Sequence, residues 1–444
     1  MERLSKPFFL PQHAFERQPF PVDLLGDVAE LLRRHELPQT WDFLLPEATG
    51  LVYVLSMLIP KPFNPPRRLL MGPGPSDVPA SVLLSMARPV LGHLDPVFIQ
   101  MMEEVKGMLR EVFQTANEMT FPVSGTGSAG MEFCFANLIE PGDEVVIGVN
   151  GVFGMRMAEV ASRCGAKVIK VESPWGTIIT PEQVAAALDG HKPKLVAIVH
   201  AETSTGALTP VEEISRLARE AGAFFVLDAV TSLAGCPVRI DAWGVDAVYS
   251  GTQKCLSCPP GLSPVSLSAR AVEAASRRKT KVQSWYLDVN LLAAYWGQDR
   301  VYHHTAPISM NYALHEALRL VLEEGLEARW QRHARSHRML KRAIQAMGLS
   351  FAAQTGHQLW QLNAISVPLG IDEAVVRRRL LAEDGIEIGA GLGPLKGKIW
   401  RVGLMGATST EENVRRFVAA FGRVLKDAGS DCDVEAALGA CSSD

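Results

Sequence analysis

Three stretches of this sequence carry residue types whose spacing suits shared chemistry. The first is Ser124-Gly125-Thr126-Gly127-Ser128-Ala129-Gly130, which follows an apolar run and opens a helical pattern over Met131 to Leu138. Small residues let backbone N–H groups approach an anion closely, and a helix N-terminus adds positive potential. The stretch reads as a phosphate cradle or as an ordinary Gly-rich turn, and no Gly-Lys-Ser/Thr follows to make it a P-loop. The second is Phe224-Phe-Val-Leu-Asp228-Ala-Val230, where an acid closes an apolar run. A carboxylate there is desolvated unless a cation meets it, and a protonated pyridine nitrogen would be such a cation. A helix cap or a structural ion pair would equally explain Asp228. The third is Tyr249-Ser-Gly-Thr-Gln253-Lys254-Cys255. Lysine forms Schiff bases, and burial or nearby cations lower its proton affinity. Most lysines are surface residues. What singles out Lys254 is its company, a phosphate-type loop and a strand-closing acid 26 residues earlier.

These residues need a scaffold that brings them to one edge. Short β-branched runs at 119–123, 144–149, 167–171, 195–200, 224–230 and 245–250 alternate with helical spacing at 127–138, 155–163, 181–188 and 210–221. That rhythm predicts an α/β fold with a mostly parallel sheet covered by helices, and ligands at the carboxyl ends of its strands. We place this large domain at 67–305. A smaller α+β domain follows at 306–428, with helical spacing over 312–348 broken near Gly325, strands at 363–367 and 399–403, and helices at 372–384 and 409–428. Residues 429–444 read as a flexible tail. Residues 1–66 hold ten prolines and helical spacing only at Val22 to His35, and read as a Pro-rich extension.

Composition narrows the function. A net charge of −4 argues against a protein that neutralises nucleic-acid phosphates. No apolar window is long enough to span a bilayer. Seven cysteines in 444 residues fit free thiols in a reducing compartment, and no secretory pattern opens the chain, so the cytoplasm is expected.

Several motifs in order give the chain a family resemblance: Met71-Gly-Pro-Gly74-Pro-Ser76, Ser124-Gly-Thr-Gly127, Glu140-Pro-Gly-Asp143, Glu202-Thr-Ser-Thr-Gly206, Leu227-Asp-Ala-Val230, Ser250-Gly-Thr-Gln-Lys254, Tyr302-His-His-Thr-Ala-Pro307 and Trp400-Arg-Val-Gly403. From about Leu69 to Leu425 the sequence resembles the class V aminotransferases of fold type I, and within them the alanine–glyoxylate and serine–pyruvate enzymes. The resemblance implies pyridoxal 5'-phosphate held as a Schiff base on Lys254, with Asp228 on the pyridine nitrogen. It implies Val230 on one ring face, Phe153 on the other in place of the usual tryptophan, and Thr203 near the phenolic oxygen. Ser124, Gly125, Thr126, Gly127, Ser128 and Gln253 match phosphate-side positions. Tyr302 and Thr305 match residues that reach the phosphate of the other subunit, which implies a homodimer. Arg401 matches the arginine that grips the substrate carboxylate, and Gly74 a second substrate-side position. The implied reaction passes an amino group from alanine or serine to glyoxylate in a ping-pong cycle, giving pyruvate or hydroxypyruvate and glycine.

Alternatives stay open beside it. Gly92-His-Leu-Asp-Pro96, Pro174-Trp-Gly176, Asp241-Ala-Trp-Gly244 and Gln253-Lys-Cys-Leu256 also resemble ureidoglycine–glyoxylate aminotransferases. A non-catalytic protein that kept the fold is a further reading. Cysteine desulfurases need a nucleophilic cysteine well after the lysine, and none occurs from Pro259 to Asp431. Cys255-Leu-Ser-Cys258 lacks the second pair that a zinc site needs, so no metal is expected. His303-His304 is set aside as a ligand pair because neighbours on a strand point apart. Arg377-Arg378-Arg379 reads as a solvated face. Trp285-Tyr286 suits either the substrate entry or a core or interface role.

Overall fold

The computed structural model describes residues 62–297 and 299–441. The chain divides into Met1–Pro66 and Arg67–Asp444, and among the described residues every strand and helix lies in the second unit. The helical spacing expected at Val22 to His35 lies outside the described residues. Of the Pro-rich extension, residues 62–66 are described; they are exposed and without regular structure.

A seven-stranded sheet forms the centre. In chain order its strands are β2 (Met119–Ser124), β3 (Glu144–Val149), β4 (Lys167–Glu172), β5 (Leu195–Val199), β8 (Phe224–Asp228), β9 (Ala247–Tyr249) and β10 (Leu262–Leu267). Between them lie the short hairpin strands β6 (Ala201–Glu202) and β7 (Ala207–Leu208). A two-residue strand, β1 (Leu69–Leu70), precedes them all. Side by side the order is β2-β10-β9-β8-β5-β3-β4, with β10 antiparallel to both neighbours and the other contacts parallel. Successive strand residues enter two different cores. Val146, Val196, Ile198, Phe225 and Leu227 join one, while Val145, Ile147, Leu195, Ala197 and Val226 join the other. Burial on both faces explains why these strands read as continuous apolar runs.

The antiparallel strand β10 is not among the sequence expectations, and it decides where the lysine goes. A parallel strand after β9 would require a long crossover to the opposite edge. Instead the chain leaves β9 at its carboxyl edge, makes the loop 250–261 and re-enters the sheet from that same edge. Lys254 therefore stays beside the ends of β8 and β9.

The C-terminal part builds a three-stranded antiparallel sheet from β11 (Leu362–Ser366), β13 (Gly389–Ala390) and β14 (Ile399–Gly403), in the order β11-β14-β13. The short strand β12 (Ile386–Glu387) pairs with β1 instead. Its core holds Trp400, Phe417 and Phe421, the last two stacked at 4.9 Å between ring centroids. The helical pattern broken at Gly325 is two helices, Ile308–Glu324 and Leu326–Ala346.

Three boundaries differ from those expected, and apolar faces explain each. Leu69 and Met71 belong to the C-terminal core although they precede the large sheet. Ala313, Leu314 and Leu318 of the helix Ile308–Glu324 join a core of the large sheet, so the division after 305 falls too early. The tail expected to be flexible from 429 forms the helix Val434–Ala440. Its N-cap is Asp433, and Cys432, Ala437 and Cys441 are buried against the C-terminal core. Asp433 and Glu435 face out, while the short stripe of Cys432, Ala437 and Cys441 faces in. Among the described residues no helix is long and apolar enough to cross a membrane.

Truncation after Gly429 uncovers that stripe's contact surface. It should cost roughly 2–4 kcal/mol of stability, from lost apolar burial. Urea unfolding of the full and truncated chains measures it, and equal midpoints would show that the terminal helix does not hold the core.

Candidate active site

Lys254 is 6% exposed, in the loop between β9 and β10. Its Nζ donates to the carbonyl of Pro73. The loop is pinned to the same segment twice more, by Ser76 N–H to the Gln253 carbonyl at 2.9 Å and Ser76 Oγ to the Lys254 carbonyl at 2.7 Å. Gly74 has φ +102°, and a Cβ there would lie 2.8 Å from Lys254 Cδ and 2.9 Å from Nζ. Only glycine leaves the lysine room. Burial first, then the Arg401 guanidinium, push the lysine down to about 8.

Asp228 ends β8 and is 3% exposed. Its Oδ1 accepts from Val230 N–H at 2.9 Å and its Oδ2 from the Tyr249 hydroxyl at 2.8 Å. Burial pushes its carboxyl up to about 6, against the lowering effect of these two donors. A carboxylate so placed is stabilised by any cation that faces it. Sequence reasoning misses Tyr249 because it sits inside an apolar run. The signal is the register, since Asp228 and Tyr249 lie opposite each other on adjacent strands.

The Gly-rich stretch turns from β2 into the helix Gly127–Leu138, as expected. Gly125 has φ +145° and donates to the Gly261 carbonyl at 3.0 Å. Thr126 caps the helix without a side-chain hydrogen bond. The N–H groups of Gly127 and Ser128 have no protein partner among the described residues. A Cβ on Gly127 would meet the Ser250 carbonyl and Val230 Cγ2 at 3.4 Å, so this glycine brings the cradle beside the residues that follow Asp228. Gln253 carries a buried Oε1 without a partner. Free N–H groups at a helix start suit a phosphate, whereas the orphan Gln253 Oε1 is an acceptor and only the NH2 of that side chain could donate to one.

Arg401 lies on β14 and is 7% exposed. Its Nε donates to the Ala390 carbonyl at 2.6 Å and its Nη1 to the Thr203 carbonyl at 3.3 Å, while Nη2 has no partner among the described residues. Burial lowers it to about 10. Thr203 Oγ1 sits 2.5 Å from Thr231 Oγ1. Phe153 stands at the start of the helix Val152–Arg163 and donates its N–H to Glu202 at 3.1 Å. Tyr302 is 59% exposed and Thr305 is also exposed.

Residues 302–307 are not a strand, which removes the reason for setting His303-His304 aside. Without alternation the two rings converge, Nδ1 to Nδ1 at 2.9 Å, and His304 Nε2 lies 2.7 Å from Ser124 Oγ. Trp285 stacks on His303 at 4.3 Å, and Tyr286 donates to the Ser124 carbonyl at 3.4 Å. This aromatic group buttresses the end of β2. The thiols of Cys255 and Cys258 are free and buried, pushed up to about 11 and about 12 by desolvation. Among the described residues no three His, Cys, Asp or Glu side chains gather as a metal site.

A buried amine, a buried acid on the neighbouring strand end and an amide cradle thus share one edge with a half-free arginine. Residues 79–417 match the family model for class-V aminotransferases. The chain belongs to that family. A solved alanine–glyoxylate aminotransferase from Nostoc sp. is 50% identical, with 83% of this chain and 98% of that one aligned and a TM-score of 0.82. A solved ureidoglycine–glyoxylate aminotransferase from Bacillus subtilis is 42% identical, with 86% and 98% aligned and a TM-score of 0.84. The alanine–glyoxylate aminotransferase of Oryctolagus cuniculus is 40% identical over 370 residues, which are 82% of this chain and 94% of that one.

The cofactor of this class V aminotransferase is pyridoxal phosphate. The site fits it. The gap that Gly127 leaves and the free N–H groups of Gly127 and Ser128 accommodate a phosphate, and Asp228 lacks only a cation. Without the cofactor Asp228 is a burden at neutral pH. Its folded value near 6 exceeds the ordinary 3.8, so it favours the folded apoprotein at low pH and loses that advantage as pH rises through about 6. Asp228→Asn apoprotein should therefore be more stable than the parent apoprotein at pH 7.5. The gain should be on the order of 1–3 kcal/mol, since each tenfold change in proton affinity is worth ~1.4 kcal/mol. The gap should close below pH 4 and reverse when cofactor is added. Thermal unfolding across pH measures this, and a less stable apo variant at pH 7.5 would refute it.

Proposed function

We propose that the chain transfers the amino group of alanine or serine to glyoxylate, giving pyruvate or hydroxypyruvate and glycine. The observation that carries this reading is the buried Lys254 amine within electrostatic reach of both Asp228 and Arg401. Pyridoxal phosphate supplies the electron sink when bound. With the cofactor bound, the Lys254 amine, lowered to about 8 and oriented by the Pro73 carbonyl, would be placed to take and return the proton of the substrate α-carbon. Asp228, steadied by Tyr249, would keep a proton on the ring nitrogen. Phe153 and Val230 would flank the ring, and Thr203 would serve its phenolic oxygen. Gly125 to Ser128, Ser124 and Gln253 hold the phosphate. Arg401 grips the substrate carboxylate with its free Nη2, and Gly74 leaves space for the lysine to swing.

A homodimer is part of this reading. Tyr302 and Thr305, exposed on one protomer, would complete the phosphate site of its partner. Seven buried, free cysteines suit a reducing compartment such as the cytoplasm. Ureidoglycine is the second donor reading, supported by the likeness to the Bacillus subtilis enzyme.

Borohydride treatment of the yellow protein should fix the cofactor to Lys254. Lys254→Ala should lose transamination by at least 10²–10⁴-fold, roughly the range for a removed general base. With glyoxylate as acceptor, alanine or serine should give a higher kcat/KM than ureidoglycine. The reverse order would replace the donor assignment, and an unlabelled Lys254 would remove the mechanism.

A further inference from the structure

We propose that Glu202 is a positioning residue of this site, a buried anion that locks the helix beginning at Val152 onto the turn that carries Thr203. The inference rests on the reading that Phe153, Thr203 and Arg401 serve cofactor and substrate.

Glu202 ends the short strand β6 and has no exposed surface. Four donors converge on it. Oε1 accepts from Ser204 N–H at 3.0 Å and Ser204 Oγ at 2.6 Å, and Oε2 from Phe153 N–H at 3.1 Å and Gly154 N–H at 3.4 Å. Burial is the largest influence and raises the proton affinity of this carboxyl above the ordinary value, while the backbone N–H groups and the Ser204 hydroxyl favour its charged form. The positive end of the helix favours that form too. The side chain enters through space that Gly151 leaves open. A Cβ there would lie 2.4 Å from Glu202 Cδ and 2.5 Å from Ser204 Oγ. Gly151 has no side chain to cap its own helix. Glu202 supplies the cap from another strand, and Ser204 Oγ adds to it by accepting Val152 N–H at 3.0 Å.

The turn between these two residues reaches three parts of the site. Thr203 Oγ1 meets Thr231, three residues beyond Asp228. The Thr203 carbonyl accepts from Arg401. Glu202 itself holds the N–H of Phe153. One tether thus sets a ring-stacking residue, a ring-side hydroxyl and the substrate arginine relative to one another. Glutamine at 202 would turn an NH2 toward two donors whichever way it faced, so one end of the tether must open. It would also remove a buried negative charge near Lys254, whose other charged neighbours, Asp228 and Arg401, stay in place.

The experiment uses the full chain loaded with pyridoxal phosphate. Glu202→Gln should move the pH midpoint of the visible band of the lysine-bound cofactor down by about one unit. It should also weaken cofactor affinity roughly tenfold. Ser204→Ala keeps the charge and cuts one strand of the tether, so affinity should fall about threefold or more with the midpoint unmoved. A purely structural Glu202 would lower thermal stability alone. Midpoint and affinity within twofold of the parent in Glu202→Gln would overturn the proposal. Should that variant fail to fold, unchanged affinity in Ser204→Ala would do so. If the parent itself shows no visible band that borohydride removes, the lysine reading has failed and this proposal falls with it.

Discussion

Keeping an amine in a nearly dry pocket, within reach of a cation and a carboxylate, is the constraint around which this molecule is arranged. An isolated buried ammonium costs several kcal/mol, so the pocket must supply compensation or let the proton leave. Here it does both. The Pro73 carbonyl accepts from Lys254, Asp228 lies close enough to favour the charged form, and burial with Arg401 favours the neutral one. The outcome near 8 is a lysine that exchanges its proton around neutral pH, which suits an acid–base role. None of these groups is adjacent in sequence. They come from 73, 228, 254 and 401, so the balance exists only in the folded state.

The topology meets this demand economically. Parallel strands place Asp228 and the end of β9 on one edge, and the antiparallel return of β10 keeps the whole loop 250–261 there. The same edge receives the start of the helix Gly127–Leu138, because β2 runs parallel to β9 across β10. An acid, an amine and an anion cradle therefore coincide because of one reversal of strand direction.

Asp228 and Lys254 are legible in the sequence because each follows an apolar run at the place where chain direction changes. The Gly-rich stretch is legible because glycine and serine are conspicuous between a strand and a helix. Tyr249 is not, since a tyrosine in a β-branched run reads as core, and only strand register exposes its hydroxyl as the partner of Asp228. Glu202 appears in the sequence as part of a motif, with nothing local to say that it caps a helix 50 residues earlier. The histidine pair is misread when alternation is assumed for a segment that is not a strand. The last helix escapes notice because it is short and flanked by the polar residues Ser430, Asp431, Asp433, Ser442 and Ser443. In each case the deciding contact is long-range, whereas periodicity reports only what a segment does with its own neighbours.

The segment 71–76 shows how the two halves of the site are held in register. Met71 N–H donates to the Glu387 carbonyl at 2.9 Å, and the Met71 carbonyl accepts from Gly403 N–H at 2.7 Å, two residues beyond Arg401. Five residues later Ser76 grips the Gln253 and Lys254 carbonyls, and between them Pro73 takes the lysine amine. The strand bearing the carboxylate-binding arginine and the loop bearing the lysine are thus spanned by one short piece of backbone, hydrogen-bonded at both ends. A substrate α-carbon must stand at one distance from its carboxylate anchor and within reach of one amine, and small misplacements are costly in rate. Anchoring both through six consecutive residues ties that distance to covalent geometry, which explains why the first strand of the second unit pairs with β12 and buries Leu69 in the C-terminal core rather than joining the strands that follow it.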